Sequence, residues 1–87
     1  MKNICAPFDL AGLGGRLKAV RELHRYSQAS AGAALGVTRL TQSKYERGDT
    51  FPTLAYLNAA AAMGFDVMYI LTGTGAGERT DEKKPGT

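Results

Sequence analysis

The chain has little of what would stabilise it covalently or anchor it in a membrane. Its 87 residues include one cysteine, Cys5, which cannot form an internal disulfide, and a lone thiol fits a reducing cytosol. No apolar run approaches the roughly 20 residues of a membrane-spanning helix. No continuous apolar segment precedes Asp9, as it would in a signal peptide. We therefore expect a cytoplasmic protein without a membrane anchor.

Residue patterns that carry out catalysis are also missing. The single histidine, His24, has no Cys or Asp at ligand spacing, and no two carboxylates share an expected site. The glycine-rich stretches GLGG (residues 12–15) and TGTGAG (residues 72–77) do not match nucleotide-binding loops, because no strand leads into either. We expect no enzyme activity, no metal site and no cofactor.

What the sequence does contain is helical periodicity and helix caps. Hydrophobic content is 44% and charged content 22%, which is ordinary for one globular domain. Apolar spacing predicts an all-α, compact five-helix bundle, with helices over residues 13–25, 28–35, 39–47, 54–63 and 67–71. Residues 1–8 are predicted as a flexible N-terminal arm and residues 9–73 as the domain. Residues 74–87, which are Gly-rich and charged, are predicted as a disordered tail.

Capping residues give these helices their expected bounds, and the apolar residues along one side of a helix give its expected inward face. Side chains that can accept the first amide protons of a helix are Asp9, Ser27, Thr38, Thr53 and Asp66. Glycines that can end a helix are Gly36, Gly48 and Gly64. The inward face of the first helix is expected at Leu13, Leu17, Val20 and either Leu23 or His24. That of the fourth is expected at Leu54, Leu57, Ala61 and Ala62, and that of the fifth at Val67, Ile70 and Leu71.

Positive charge is concentrated in one part of the chain. The net charge is +3, but between Arg16 and Arg47 seven basic residues face two acidic ones, which leaves +5. Such a patch is typical of proteins that bind a polyanion. A solvated helix face has the same composition, so charge alone leaves both interpretations open.

The stretch from Ser27 to Gly48, SQASAGAALGVTRLTQSKYERG, lies within this basic part. Its first predicted helix consists almost entirely of small residues, which allow a second helix to approach closely. Gly36 then ends that helix, and a basic, polar helix follows. Two short helices joined by a tight turn are the arrangement by which a small domain places one helix in the DNA major groove.

Residues 13–73 resemble the Xre/Cro-type, lambda-repressor-like helix-turn-helix family. The matching text, in the family's order, is RLKAVREL, LGV, SKYERG, the helix after Pro52, and DVMYILTG. The resemblance implies that Gly32 lies where the two motif helices cross and that Gly36 lies in the turn. It places Leu35, Val37 and Tyr45 in the core.

The resemblance also implies that residues 39–47 form the recognition helix. It assigns base contacts to Thr38, Arg39, Leu40, Thr41 and Lys44, and phosphate contacts to Ser27, Gln28, Lys18 and Arg47. The chemistry is suitable, since a guanidinium can donate twice to guanine and a leucine can contact a thymine methyl group. Amides at a helix N-terminus favour phosphate. The alternative for Arg39 and Lys44 is a solubilising surface.

One ion pair and two departures from the family pattern concern the packing around this helix. Arg21 and Glu46 are implied to form an ion pair that holds the first helix against the recognition helix. Ala31 replaces a large aliphatic residue, and Gln42 replaces Ile or Val. Both are expected at the junction of the motif helices, where Gln42 must either hydrogen-bond or lie at the boundary, because an unsatisfied buried amide is costly.

The implied function is that of a repressor which binds a palindromic operator in double-stranded DNA as a Cro-like homodimer, in the cytoplasm at the nucleoid. The dimer interface is expected at Phe51, Val67 and Met68, although Phe51 could instead pack on the fourth helix. One alternative is an antitoxin-type module whose tail, ERTDEKKPGT, binds a protein partner such as a toxin or another regulator. Another is a nucleic-acid binder without sequence specificity.

Overall fold

The computed structural model describes residues 7–74, and these residues form an all-α bundle. The five helices are α1 (Leu13–Leu23), α2 (Gln28–Leu35), α3 (Arg39–Arg47), α4 (Leu54–Ala62) and α5 (Val67–Thr72). None of them is long and apolar enough to span a bilayer. The predicted five-helix fold is confirmed. Cys5, most of the predicted arm and all but the first residue of the predicted tail lie outside the described residues.

Side-chain caps and left-handed glycines define the helix ends, as predicted. The hydroxyls of Ser27, Thr38 and Thr53 each accept the amide proton of the residue three positions later. Gly36 and Gly48 end α2 and α3 with φ values of 84° and 81°. A side chain is strained at such a φ, so glycine is the residue that lets the chain turn there.

The first helix differs from its prediction at both ends. Asp9 does not cap it: α1 begins after Gly12 without a side-chain cap, and the Asp9 carboxylate instead accepts a 2.9 Å hydrogen bond from Arg16. The helix ends at Leu23, two residues earlier than predicted, and Leu23 is exposed. His24 is exposed as well, although its ring lies against that of Phe65, with centroids 4.8 Å apart, so the buried face of α1 ends at Val20 and Arg21.

The fourth helix is rotated relative to its prediction. Of the expected stripe only Leu57 is buried; Leu54 is 84% exposed, and Ala61 and Ala62 are also exposed. The inward face is instead Tyr56, Leu57 and Ala60. The cause is Tyr56, which buries a large ring because its hydroxyl finds a hydrogen-bond partner inside the core.

The core lies between the five helices, each of which contributes at least one buried apolar residue. Its fully buried apolar residues are Leu17, Ala31, Ala60 and Ile70. Leu35 and Tyr45 are buried as predicted, and Val37 is half-buried against them. Val67 and Leu71, expected to face inward, are half-buried at the edge of this core. The resulting support lies under α2 and α3, so their opposite faces are turned to solvent.

Candidate nucleic-acid interface

The turn between α2 and α3 is built around Gly32. The amide of Val37 donates to the Gly32 carbonyl at 2.8 Å. A Cβ at Gly32 would lie 2.8 Å from the Val37 carbonyl oxygen, a distance that real Cβ atoms do not show. The close approach predicted at Gly32 is therefore present, and it leaves α3 to begin directly after the Thr38 cap.

The outward face of α3 is polar with one apolar residue in it. Because Gln42 and Tyr45 are buried, a helix of 3.6 residues per turn directs its other side to solvent. The residues on that side are Arg39, Leu40, Ser43, Lys44 and Arg47. Leu40 is 56% exposed. Ser43 was not among the predicted contacts, although its helical spacing from Leu40 and Arg47 would have identified it.

Thr38 and Thr41 bond to each other at the start of this face. The Thr38 hydroxyl accepts the Thr41 amide at 3.0 Å and donates to the Thr41 hydroxyl at 3.1 Å. The Thr38 proton is thus already used, whereas the Thr41 hydroxyl keeps its own proton for another acceptor. Of these two threonines, Thr41 is the one whose hydroxyl has a proton left to donate to a base.

The predicted cationic contacts divide into paired and unpaired groups. Within residues 7–74, Lys18, Arg39 and Lys44 make no ion pair. Arg47 donates to the Asp49 carboxylate at 2.8 and 3.1 Å and to the Ser43 hydroxyl at 2.6 Å. Both charged partners are about half exposed, and such pairs contribute little, so a phosphate could compete with Asp49 for Arg47.

The start of α2 lies beside the last turn of α3. Ser27 and Ser30 form a reciprocal capping box in which each hydroxyl accepts the other residue's amide. The preceding amides of the first turn have no acceptor within the helix, and the helix dipole favours an anion there. The Gln28 side chain does not point to such an anion: its Nε2 donates to Glu46 at 3.2 Å. Any phosphate contact by Gln28 would use its backbone amide.

Arg21 and Glu46 form a two-pronged ion pair between α1 and α3. Arg21 Nε donates to Glu46 Oε2 at 2.6 Å and Nη2 donates to Oε1 at 3.0 Å. Their side chains are 9% and 3% exposed. Burial acts to raise the pKa of Glu46, but the hydrogen bonds from Arg21, Gln42 and Gln28 together outweigh it and hold the pKa below its ordinary value. The carboxylate therefore stays ionised at neutral pH.

Gln42 hydrogen-bonds at the helix junction and does not lie at the boundary. It is fully buried; its Nε2 donates to Glu46 Oε2 at 2.7 Å and its Oε1 accepts from the Tyr56 hydroxyl at 2.7 Å. Burial raises the pKa of Tyr56 to about 12, so this hydroxyl remains a donor. Of the two alternatives open for Gln42, the structure shows the first.

The residues expected at a dimer interface differ in exposure. Phe51 is 53% and Met68 54% exposed, whereas Val67 packs partly against the core. The two exposed side chains are available to a second protomer. Elsewhere in residues 7–74, no three His, Cys, Asp or Glu side chains lie together as metal ligands would.

The family model described as a helix-turn-helix domain matches residues 12–66. Among solved structures, the chain is similar to the crystal structure of the P22 c2 repressor protein in complex with synthetic operator 9T in the presence of Tl+. The two share 32% identity with a TM-score of 0.64, over 71% of this chain and 96% of that one. No curated protein matches the chain.

Proposed function

Since this chain belongs to the helix-turn-helix domain family and has a lambda-repressor-like fold, we propose that it is a sequence-specific DNA-binding transcriptional regulator of the repressor type. Its partner is double-stranded DNA, and α3 is the helix that enters the major groove. It acts as a homodimer on a palindromic operator, in the cytoplasm at the nucleoid. Likeness to a repressor solved with its operator supports this proposal.

The observation that carries the proposal is the contrast between the two faces of α3. The inner face is fixed by buried hydrogen bonds at Gln42 and Glu46. The outer face holds two cations, Arg39 and Lys44, around the exposed Leu40. Neither cation has an ion-pair partner within residues 7–74. A face that only kept the protein soluble would need no such rigid support.

The side chains of this outer face match the edges of base pairs in the major groove. Arg39 can donate two parallel hydrogen bonds to guanine O6 and N7, an interaction worth about 1–3 kcal/mol of discrimination. Leu40 can contact a thymine methyl group. The Thr41 hydroxyl and Lys44 supply further donors. This set favours sites that combine guanine and thymine within each half-site.

Contacts to phosphate would set the register of α3 on the duplex, since about half or more of protein–DNA hydrogen bonds go to the backbone. The proposed contacts are the backbone amide of Gln28, at the start of α2, and the side chains of Lys18 and Arg47. Ser27 caps the helix, and its amide and hydroxyl both donate to the Ser30 hydroxyl, so a phosphate contact by Ser27 would have to replace one of these bonds. Arg47 would exchange Asp49 for a phosphate. The antitoxin-type alternative depends on residues outside those described, and no described residue favours it.

The test is selection of binding sites from random duplex DNA with the full chain. We expect a palindromic motif whose half-sites lie about one helical turn apart, roughly 34 Å. A Thr38→Ala, Arg39→Ala, Lys44→Ala triple variant should recover no motif. Equal enrichment by the triple variant would contradict the proposal, and a motif with one half-site would remove the homodimer from it.

A matched charge control separates base reading from general attraction to DNA. Arg39→Gln and Arg25→Gln each remove one exposed cation, but Arg25 lies in the turn after α1 and not on α3. Arg39→Gln should change the recovered motif at one position per half-site, whereas Arg25→Gln should leave the motif unchanged. A binder without specificity would show no site preference and would lose affinity steeply with salt for every sequence.

A further inference from the structure

A buried hydrogen-bonded link joins α3 to α4 through Gln42 and Tyr56. The Tyr56 hydroxyl donates to Gln42, and Gln42 donates to the Glu46 carboxylate, both at 2.7 Å. Tyr56 is 2% and Gln42 0% exposed. On its other side the same carboxylate is bound by Arg21 of α1 and Gln28 of α2. Side chains from three other helices therefore meet at two residues of α3.

Resting on the DNA binding proposed above, we propose that Gln42 and Tyr56 are positioning residues for DNA recognition, which fix the rotation of α3 about its axis. Gln42 and Glu46 are one turn apart on the same side of the helix. Glu46 is held from α1 and α2 and Gln42 from α4, so α3 is tied to three other helices at two positions one turn apart. Arg39 and Leu40 precede Gln42 by less than one turn. A rotation of α3 about its axis would therefore displace the ends of their side chains relative to the base edges.

The chemistry of the link requires an amide at position 42. A carboxylate only accepts hydrogen bonds, and Tyr56 stays protonated and donates. Glutamine satisfies both neighbours, because it donates with Nε2 and accepts with Oε1. An aliphatic residue would fill the space but would impose no direction, whereas a hydrogen bond weakens steeply as it is bent. Since the net stability from such bonds is small, orientation is the main effect of the link.

The first test removes both partners together. Gln42→Leu/Tyr56→Phe substitutes apolar groups of similar shape, a change that can be nearly neutral for stability. It leaves Arg21, Glu46 and all proposed DNA contacts in place. The affinities of the native chain and of the double variant should be measured for the selected site and for a scrambled duplex, after circular dichroism has shown that both proteins are folded. We expect the ratio of the two affinities to fall about tenfold or more, as for loss of one well-oriented base contact.

The second test uses pH to switch the link in a Gln42→Glu variant. The titratable or charged groups around the new carboxyl group are Glu46 and Tyr45 from α3, Arg21 from α1 and Tyr56 from α4; α2 contributes the uncharged Gln28. Two carboxylates this close share a proton. The protonated group donates as the amide does, so the affinity ratio of this variant should recover as the pH is lowered from 8 to 6, relative to the native chain. A structural role alone would not produce that profile.

The outcomes separate the two proposals. If the native chain selects no motif, the proposed function fails and this inference fails with it. If the native chain selects a motif, and Gln42→Leu/Tyr56→Phe has the same ratio of affinities for the selected and scrambled duplexes as the native chain, only the inference is overturned. Tyr56→Phe alone removes one hydroxyl and should shift the ratio in the same direction. That milder variant decides the question should the double variant fail to fold, and a flat pH profile for Gln42→Glu also contradicts the link.

Discussion

Gly14 of α1 lies so close to Glu46 of α3 that no side chain fits between them. A Cβ at Gly14 would be 2.5 Å from the Glu46 carbonyl oxygen and 2.7 Å from that of Tyr45. Two turns later on α1, Arg21 binds the Glu46 carboxylate. The first helix thus contacts Glu46 twice, once at its backbone and once at its side chain, and both contacts fix the second half of α3.

Alanine at Gly14 and at its neighbour Gly15 should have opposite effects. Alanine is the better helix former by roughly 1 kcal/mol, and nothing lies within 4 Å of a Cβ at Gly15. Gly15→Ala should therefore raise the free energy of unfolding by about 0.5–1 kcal/mol. Gly14→Ala should lower it by about 1–3 kcal/mol, because the atoms it meets are backbone. Urea unfolding of both variants measures this; equal stabilisation would contradict the close contact.

The Arg21–Glu46 pair should be costly to break on one side only. Glu46→Ala leaves the Arg21 guanidinium buried without its carboxylate, for which about 3–5 kcal/mol is typical. Adding Arg21→Leu removes that stranded charge and should restore part of the loss. Thermal unfolding of the single and double variants makes the comparison. If Glu46→Ala melts no lower than the native chain, the pair does not hold α1 against α3.

Acid should weaken the fold through Glu46. Because its pKa is lower in the folded state, the unfolded state binds more protons between the two pKa values. The stability that this carboxylate contributes is complete above its unfolded pKa, about 4.3, and is lost as the pH falls through the folded pKa. The Arg21→Leu/Glu46→Ala variant lacks this group, so its melting temperature should fall less between pH 5 and pH 3. If the melting temperatures of the two proteins fall equally between pH 5 and pH 3, Glu46 is not the cause of the acid sensitivity.

The sequence predicts those features that depend on local chemistry. Ser27, Thr38, Gly36 and Gly48 mark the bounds of α2 and α3 because caps and left-handed turns involve residues next to each other in the chain. The rotation of α4 was not predictable in this way. Its sequence, LAYLNAAAA, is apolar on nearly every side, so periodicity cannot distinguish the inward face.

Contacts between helices account for the other differences. The sequence around Gly14 gives no sign of its close contact, because the partner is the backbone of Glu46, far along the chain. The Gln42–Tyr56 bond joins residues 14 positions apart on different helices, and only the rotated α4 brings the hydroxyl there. The assignment of base contacts on α3 stays a prediction, to which the outward spacing adds Ser43.

Leu40 should make operator binding depend on a thymine methyl group. Replacing thymines of the selected site one at a time by deoxyuridine removes one methyl each, worth about 0.8 kcal/mol where it is buried. One replacement per half-site should weaken binding by the native chain. The same replacement should have no effect on Leu40→Ala, because the contact is already gone. A methyl effect of the same size in both proteins would place Leu40 away from the thymine.

Met68 should be part of the homodimer interface. Its side chain is 54% exposed on α5, and Ile70 on the same helix is fully buried, so Met68→Arg changes the surface without disturbing the core. Leu54→Arg is the matched control, because Leu54 is more exposed, at 84%, but lies outside the proposed interface. Sedimentation equilibrium should give a dimer for the native chain and for Leu54→Arg, and a monomer for Met68→Arg. Affinity for the palindrome should fall when dimerisation is lost, because a dimer binds its second half-site at high effective concentration. An unchanged dimer mass for Met68→Arg would remove this residue from the interface, and a monomeric native chain would contradict a dimer formed before DNA binding.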